Sequence, residues 1–268
     1  MKRLIAMLLA AMLVMMMAVP ALAEDESLAK IQEKGKFILG LDDSFPPMGY
    51  RDENNEIVGF DIDLAKEVCA RLGVELVLQP IDWDAKEMEL SSGNIDCIWN
   101  GMSDTAERQE AMALSMDYLN NKIVFLVKDP ALKGREDLVG KKVAVQSGSY
   151  AEELLEKNAD FADYYKSLGE VLAYPDYLTA IMDLQNGNVE AVLIDQVVAN
   201  YEIKQIGDTS LFTIDNLEDD FYAIGFRKED VALRDKVNET LKAMAKDGKV
   251  DEICQKWFGS NISLITAE

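Results

Sequence analysis

The sequence contains no histidine among its 268 residues and only three cysteines. Histidine is the usual zinc ligand and the usual general base near neutral pH, so its absence excludes Ser-His-Asp and Cys-His enzymes. Cys69, Cys97 and Cys254 are too few and too scattered for a disulfide framework, and no CxxC pair is present. Enzymes that use carboxylates or lysine remain open. No metal site and no cofactor is predicted.

Basic residues are also scarce, with 27 lysines and arginines against 49 aspartates and glutamates. Residues 1–23 hold two of the basic residues and none of the acidic ones, so the remainder has 25 basic and 49 acidic residues and a net charge of −24. Nucleic acids and anionic membrane surfaces both repel such a charge. We therefore expect no nucleic-acid partner.

The one long apolar run lies at the amino terminus. Lys2 and Arg3 precede an apolar stretch at residues 4–19, and an Ala-Leu-Ala site ends at Ala23. A basic start, an apolar middle and an A-x-A site are typical of a secretory signal peptide, and the run is shorter than the ~20 residues of a membrane-spanning helix. We predict cleavage after Ala23 and export, to a periplasm or to the cell exterior. Glu24, not cysteine, follows the cut, so no lipid anchor is expected.

The rest of the chain alternates short apolar runs with longer segments of helical period, which is typical of βαβ units and a mainly parallel sheet. Strands are predicted at residues 36–42, 74–79, 95–99, 123–127, 142–146, 170–174, 189–194 and 222–226. Helices are predicted at residues 59–72, 84–92, 149–157, 176–186, 196–206, 229–246 and 249–257, with a short helix around Arg108.

A weak internal repeat relates the two halves of the chain. LSSGNIDCI at residues 90–98 aligns without gaps to LQNGNVEAV at residues 184–192. In each copy a helix ends near a glycine, which suits a left-handed C-cap, and a strand follows. The repeat favours two similar α/β lobes over one long sheet.

Polar residues fall where the predicted strands end. Asp42 ends the first strand, Ser103 follows the strand at residues 95–99, Ser149 follows the strand at residues 142–146, and Asp195 ends the strand at residues 189–194. Ligands of open α/β sheets bind beyond the carboxyl ends of the strands. One cleft between two lobes could therefore collect all of these residues.

The segment WNGMSDTAER, which ends at Arg108, contains an unexpected cation. Asp104 and Glu107 fit the two ends of a capping box, which places Arg108 in the first turn of a helix. Acidic residues are preferred there, because the free N–H groups already carry positive charge. Either the Arg108 side chain extends into water, or it awaits an anion.

Three further features each have a functional and an ordinary interpretation. Ser149 and Glu152 fit a capping box, and Gly148 allows a turn that exposes N–H groups to an anion, although ordinary capped corners look the same. Asp195 could bind a ligand or simply cap the next helix. Trp83 lies in the polar segment IDWD and is either a partly exposed platform or a peripheral core residue.

Five segments together resemble the polar amino-acid-binding proteins of ABC importers: DDSFPPMGY, VGFDIDLAKEVCARLG, WD, SGNIDCIWNGMSDTAER and GNVEAVLID. The resemblance implies a fold of the periplasmic binding protein-like II type, with two α/β lobes of mainly parallel sheet joined by two crossover strands. It implies a first lobe at residues 24–118 plus 222–268 and a second lobe at residues 119–221. The implied protein is a monomer that closes on one free amino acid and delivers it to a membrane permease.

The resemblance also implies how the backbone end of an amino acid is bound. Arg108 would bind the α-carboxylate through its guanidinium, assisted by the backbone N–H groups of Ser103 and Tyr150. Asp195 would bind the α-ammonium, with the Gly101 carbonyl and the Ser103 hydroxyl as further acceptors.

Other residues are implied to contact the ligand side chain or to shape the site. Asp42 would meet the side chain, and Phe45 and Trp83 would pack along it. Gln146 is the candidate for specificity in the second lobe. Ser149 completes the implied binding set at the start of its helix.

An enzyme on the same scaffold is the main alternative. The chain is also similar to exported dehydratases of prephenate or arogenate type, in which Asp42, Asp43 or Asp195 could serve as acid or base. The sensing module of a receptor is a third alternative, and it would need an attached membrane or signalling segment. Because Asp42 favours a side chain that donates hydrogen bonds, polar or basic ligands are expected. Glutamine, arginine, lysine, histidine and cystine all remain open.

Overall fold

The computed structural model describes residues 25–207 and 210–268, so the predicted signal peptide lies outside the described residues. Strands and helices alternate along the chain as the apolar pattern predicts. The strands are β1 (Lys36–Leu41), β2 (Ser44–Phe45), β3 (Gly49–Arg51), β4 (Ile57–Val58), β5 (Glu75–Pro80), β6 (Cys97–Ser103), β7 (Ala113–Leu114), β8 (Leu119–Val127), β9 (Lys142–Gln146), β10 (Glu170–Tyr174), β11 (Ala191–Asp195) and β12 (Phe212–Phe226). The helices are α1 (Ser27–Lys34), α2 (Phe60–Leu72), α3 (Lys86–Ser91), α4 (Ala106–Ala111), α5 (Tyr150–Lys157), α6 (Ala162–Ser167), α7 (Tyr177–Asn186), α8 (Gln196–Ile206), α9 (Val231–Lys246) and α10 (Lys249–Phe258).

The main sheet is symmetric about its centre. Among the described residues, nine strands form one sheet in the order β10-β9-β11-β8-β12-β6-β1-β5, with β7 paired to β12. The outer strands on each side run parallel to one another, whereas β8 and β12 are antiparallel to their neighbours. Each side with its helices is an α/β lobe, and β8 and β12 are the two crossover strands. The predicted fold class is confirmed.

The predicted lobe boundaries correspond to features of the crossover strands. β8 begins at Leu119, directly after the first boundary, and the second boundary falls inside β12 between Phe221 and Tyr222. One cluster of buried apolar residues lies wholly between residues 123 and 217. Another contains buried apolar residues between 83 and 114 together with Ala223. The largest cluster contains side chains from both sides of the sheet. The division of the chain at these residues stays a prediction.

The internal repeat forms the same corner in each lobe. Gly93 and Gly187 both have left-handed backbones, with φ of 79° and 75°. The asparagine after each glycine donates its backbone N–H to the residue five positions earlier, and its side-chain amide donates to the carboxylate of that same residue. The repeat therefore marks equivalent positions of the two lobes, including the carboxyl ends of α3 and α7.

Some elements differ from the sequence prediction. β12 starts at Phe212, ten residues before the predicted strand, and α1 and the small sheet β2-β3-β4 were not predicted. The first part of β12 carries acidic side chains that point to solvent, so it lacks the apolar run by which strands are predicted.

The three cysteines are buried and none forms a disulfide bond within the described residues. No helix in residues 25–207 and 210–268 is long and apolar enough to cross a membrane. Nor do the described side chains include any group of three or more acidic residues or cysteines that could hold a metal ion.

Candidate ligand-binding site

The end of β6 carries a backbone kink that only glycine accommodates well. Gly101 has φ of 57°, and a Cβ there would lie 2.8 Å from the Phe45 ring and 3.0 Å from the Tyr222 ring. The Gly101 N–H donates to Asp61 Oδ2 at 2.7 Å, and the Tyr118 hydroxyl donates to the same oxygen at 2.8 Å. Burial raises the pKa of Asp61 to about 7. A buried carboxyl therefore fixes the kink.

The helix that carries Arg108 is capped one residue later than the sequence suggests. Thr105 is the N-cap of α4 and accepts the Arg108 N–H at 3.2 Å. The predicted capping box of Asp104 and Glu107 is therefore wrong. Glu107 instead pairs with Lys157 of α5 at 3.2 Å, and the Asp104 carboxylate accepts from Gln109.

The Arg108 side chain does not extend into water, since it is only 1% exposed. Its Nη1 donates to the Ser103 carbonyl at 2.9 Å, and its Nη2 donates to Glu153 Oε1 at 3.0 Å from the opposite lobe. Its Nε is buried and has no hydrogen-bond partner among the described residues. A buried guanidinium with an unused Nε–H suits an anion that accepts a charge-assisted hydrogen bond from it.

The first turn of α5 faces Arg108 from the second lobe. Ser149 is the N-cap and accepts the Glu152 N–H at 3.2 Å, as predicted. Glu152 does not complete the capping box on Ser149, because its carboxylate accepts the Gly148 N–H at 2.7 Å. The Gly148 N–H is thus unavailable to a ligand. The Tyr150 N–H is the first helical N–H at this terminus.

Asp195 is buried at the end of β11. It holds the N-cap position of α8, but its side chain makes no capping hydrogen bond, so the ordinary interpretation is wrong. Asp195 Oδ1 accepts from Asn121 Nδ2 at 2.6 Å and from the Tyr222 hydroxyl at 2.8 Å. Burial raises the pKa of Asp195 to about 6.

A second buried acid, Asp220 of β12, lies beside Asp195 and was not predicted from the sequence. Its Oδ2 accepts from Asn121 Nδ2 at 2.8 Å and from the Ser103 hydroxyl at 3.0 Å. Burial, followed by the charge of Asp195, raises the pKa of Asp220 to about 7. Asp220 stands in the acidic segment NLEDD, where nothing in the sequence separates it from its exposed neighbours.

Asp42 and Gln146 contact each other across the two lobes. Gln146 Nε2 donates to Asp42 Oδ2 at 2.7 Å and to the Pro175 carbonyl at 3.2 Å. Asp42 Oδ1 accepts from the hydroxyl and the N–H of Ser44. Both oxygens of Asp42 are thus occupied by protein donors, which differs from the expected direct contact with a ligand side chain.

Nine of the ten predicted site residues line one small, tightly closed cavity between the lobes. Asp42 is the exception, and it lies behind Gln146. Trp83 is only 8% exposed and packs into an apolar cluster, so the partly exposed platform is wrong, although the ring does face the cavity. The cavity is lined by Phe45, Trp83, Gly101, Ser103, Arg108, Gln146, Ser149, Tyr150 and Asp195.

A buried lysine that was not predicted lies beside Trp83, which lines this cavity. Lys86 Nζ donates to the Gly148 carbonyl of the second lobe at 2.8 Å and lies 5.2 Å from the centre of the Trp83 ring. Burial, followed by the charge of Arg108, lowers the pKa of Lys86 to about 8. As the first residue of α3, it reads in sequence as an ordinary surface lysine.

The lobes are in contact around the cavity. The Tyr201 hydroxyl donates to the Tyr50 hydroxyl at 2.9 Å, and the rings of Phe45 and Tyr177 pack 5.9 Å apart. With the Arg108–Glu153 and Lys86–Gly148 contacts, these interactions define a closed arrangement. The cavity has a guanidinium on one side and a carboxylate on the other. These two charges are complementary to the two charges of a zwitterion.

This fold and cavity define a two-lobed binding protein that encloses a small charged solute. The profile of the bacterial extracellular solute-binding proteins, family 3, matches residues 37–260, and the chain belongs to this family.

Two similar proteins have names that state their ligands. The chain is 31% identical to the L-cystine-binding protein TcyJ of Escherichia coli (strain K12), over 95% of this chain and 94% of that protein. It is 37% identical to an ABC uptake transporter substrate-binding protein of Streptococcus pneumoniae whose crystal structure contains bound histidine. That likeness has a TM-score of 0.86 and covers 90% of this chain and 99% of the other.

A third similar structure bears on the enzyme alternative. The ancestral amino acid-binding protein AncCDT-1, a precursor of cyclohexadienyl dehydratase, is 30% identical with a TM-score of 0.78 over 87% of this chain and 99% of that one. It is itself an amino acid-binding protein. The family and the named relatives are binding proteins, and the family is extracytoplasmic.

Proposed function

We propose that this chain is exported, loses residues 1–23, and captures one free polar amino acid between its lobes for delivery to the permease of an ABC importer. The first lobe would comprise residues 24–118 plus 222–268, and the second lobe residues 119–221. The observation that carries the proposal is the single cavity lined by both Arg108 and Asp195, each buried and each from a different lobe.

The ends of the ligand are assigned by charge. The α-carboxylate takes two N–H groups of Arg108, and the Tyr150 N–H at the start of α5 adds a donor with the favourable helix dipole. The α-ammonium lies against Asp195, with the Gly101 carbonyl and the Ser103 hydroxyl as further acceptors. Charges that enter a closed cavity must be paired, and this arrangement pairs both.

The ligand side chain meets an acceptor. The Gln146 amide nitrogen donates to Asp42 and to the Pro175 carbonyl, which are both acceptors, so the reversed amide orientation would place oxygen against oxygen. The Gln146 Oε1 is left for the ligand, and Asp42 acts through Gln146. This supports a ligand whose side chain donates hydrogen bonds, packed along Phe45 and Trp83. Ser149 shapes this side of the cavity and caps α5.

The proposal includes no catalysis. Asp195 is an acceptor for an ammonium group, and a dehydratase acting on a substrate without an amino group would not need it. The similarity to AncCDT-1 supports the same conclusion, since that protein binds amino acids and only precedes an enzyme.

Calorimetric titration of the chain from Glu24 onward tests this function. The protein is unfolded and refolded to remove carried-over ligand, then titrated with each common amino acid and with cystine. Tight one-to-one binding of one or a few polar amino acids is expected. If a demonstrably refolded sample gives no heat with every candidate, amino-acid binding is refuted, and dehydratase activity on prephenate and arogenate is assayed next.

A further inference from the structure

Two buried carboxylates share one amide group at the crossover strands. Asn121 of β8 donates both hydrogens of its Nδ2, one to Asp195 and one to Asp220. Asp220 is 2% exposed, and its Oδ1 is buried without a hydrogen-bond partner in the described part of the chain. None of the ion pairs among the described residues involves either acid. Arg108 shares the cavity with Asp195, but it forms its ion pair with Glu153.

The surroundings of Asp220 supply dipoles and no cation. Asp195 is the acid that faces it, and the hydroxyls of Ser103 and Tyr222 bond to the pair. The charge of Asp220 also helps to raise the pKa values of four nearby tyrosines, which therefore stay neutral near pH 7: Tyr118, Tyr150, Tyr177 and Tyr222. Simultaneous ionisation of two such acids is unfavourable unless a cation joins them, so near neutral pH the pair holds a proton in about half of the molecules with an empty cavity. The buried Oδ1 of Asp220, which has no hydrogen-bond partner among the described residues, is the oxygen that carries this proton.

We propose that Asp220 is a second carboxylate for the α-ammonium of the ligand, acting beside Asp195, and that it gives up its proton to solvent as the amino acid binds. This inference rests on the proposed function. Asp195, the Gly101 carbonyl and the Ser103 hydroxyl are the acceptors for the three N–H donors of the ammonium, and Asp220 adds its charge from directly behind Ser103, whose hydroxyl it holds.

Proton release makes the affinity depend on pH. Binding a cation favours the ionised carboxylate, so affinity is full above the pKa of the empty site and falls as pH decreases through it. Below that pKa, each unit of pH weakens binding by about tenfold. With the pKa of Asp220 near 7, about half a proton is released per ligand at pH 7.

The test counts protons by titration calorimetry in two buffers of different ionisation enthalpy at pH 7. The wild-type chain is expected to release about half a proton per amino acid bound. Asp220→Asn is expected to release much less and to bind about 10- to 100-fold more weakly, the range for a hydrogen bond to a charged group. Asp219→Asn makes the same charge change one residue away, where the side chain is 72% exposed, and is expected to behave as wild type.

Each outcome decides the question. A wild-type chain that binds an amino acid with no proton release and the same Kd from pH 6 to pH 8 overturns the role of Asp220 and leaves the proposed function standing. Equal affinities of Asp220→Asn and Asp219→Asn do the same. If the wild type binds no amino acid, both proposals fail. If Asp220→Asn does not fold, the proton count and pH dependence of the wild type decide alone.

Discussion

Replacement of Arg108 by alanine is the sharpest test of how the cavity holds its ligand. Arg108 Nη1 is fixed on the Ser103 carbonyl at 2.9 Å and Nη2 donates to Glu153 at 3.0 Å, while Nε is unused. A ligand carboxylate would accept two parallel charge-assisted bonds, worth about 1.5–3 kcal/mol each. Losing both weakens binding by about 3–6 kcal/mol, or roughly 10²- to 10⁴-fold in Kd. Arg108→Lys keeps the charge without the planar fork, so a loss of about 10- to 100-fold is expected.

Calorimetric titration with the preferred amino acid measures these losses, and circular dichroism with thermal unfolding checks the fold. Arg71→Ala is the matched control, because Arg71 pairs with Glu67 and Asp247 on the surface of α2, away from the cavity. A folded Arg108→Ala that binds within about threefold of wild type would refute the carboxylate assignment. An equal loss of affinity in Arg71→Ala would also refute it, because net charge, and not the hydrogen bonds of Arg108, would then control affinity.

Three further predictions concern other buried acids. Asp195→Asn removes the ammonium's charged acceptor and should weaken binding about 10- to 100-fold by calorimetry, and unchanged affinity would exclude this role. Asp42→Ala frees the Gln146 amide to rotate, so the ratio of the affinity for arginine to that for glutamate should fall about tenfold. An equal loss of affinity for both ligands would contradict the role of Asp42 in orienting Gln146. Asp61 has a pKa of about 7 in the folded protein, above its unfolded value. Its proton therefore stabilises the fold at low pH, and its contribution to the free energy of unfolding declines by about 3 kcal/mol from pH 5 to pH 8. Urea unfolding measures this: between pH 5 and pH 8 the free energy of unfolding of ligand-free Asp61→Asn should decline less than that of the wild type. An identical pH dependence in the two proteins would contradict the raised pKa of Asp61.

Sequence patterns predict the elements of this fold that have a clear apolar period well and those that lack one poorly. β9, β10 and α8 begin and end at the predicted residues, because each has a clear apolar period and a distinct polar boundary. The first half of β12 was missed because its acids face solvent while its backbone pairs with β8. Backbone pairing of this kind leaves no apolar signature, so only the partner strand defines it.

The residues of the candidate site also divide into those that the sequence predicts and those that it does not. Arg108 and Asp195 were predicted because they stand in motifs at strand ends, where topology brings side chains together. Asp220 and Lys86 were not, because their burial depends on contacts with residues 99 and 62 positions away. Asp42 was placed near the ligand by its motif, but its contact with Gln146 crosses 104 positions, and no local pattern encodes it.

The contacts between the lobes determine whether closure needs a ligand. Lys157 and Glu107 are mostly exposed, and such a pair is worth about 0–1 kcal/mol. The Tyr50–Tyr201 hydrogen bond adds about 1 kcal/mol. Moving a hinge from 1% to 99% closed takes about 5.5 kcal/mol, which is more than these contacts supply. The remainder must come from the buried contacts across the lobes, such as Arg108–Glu153 and Gln146–Asp42, and, on the proposed function, from ligand contacts that exist only when the lobes meet. Contacts to second-lobe residues such as Asp195 and Gln146 therefore favour closure itself, whereas the contact to Arg108 is available in both states.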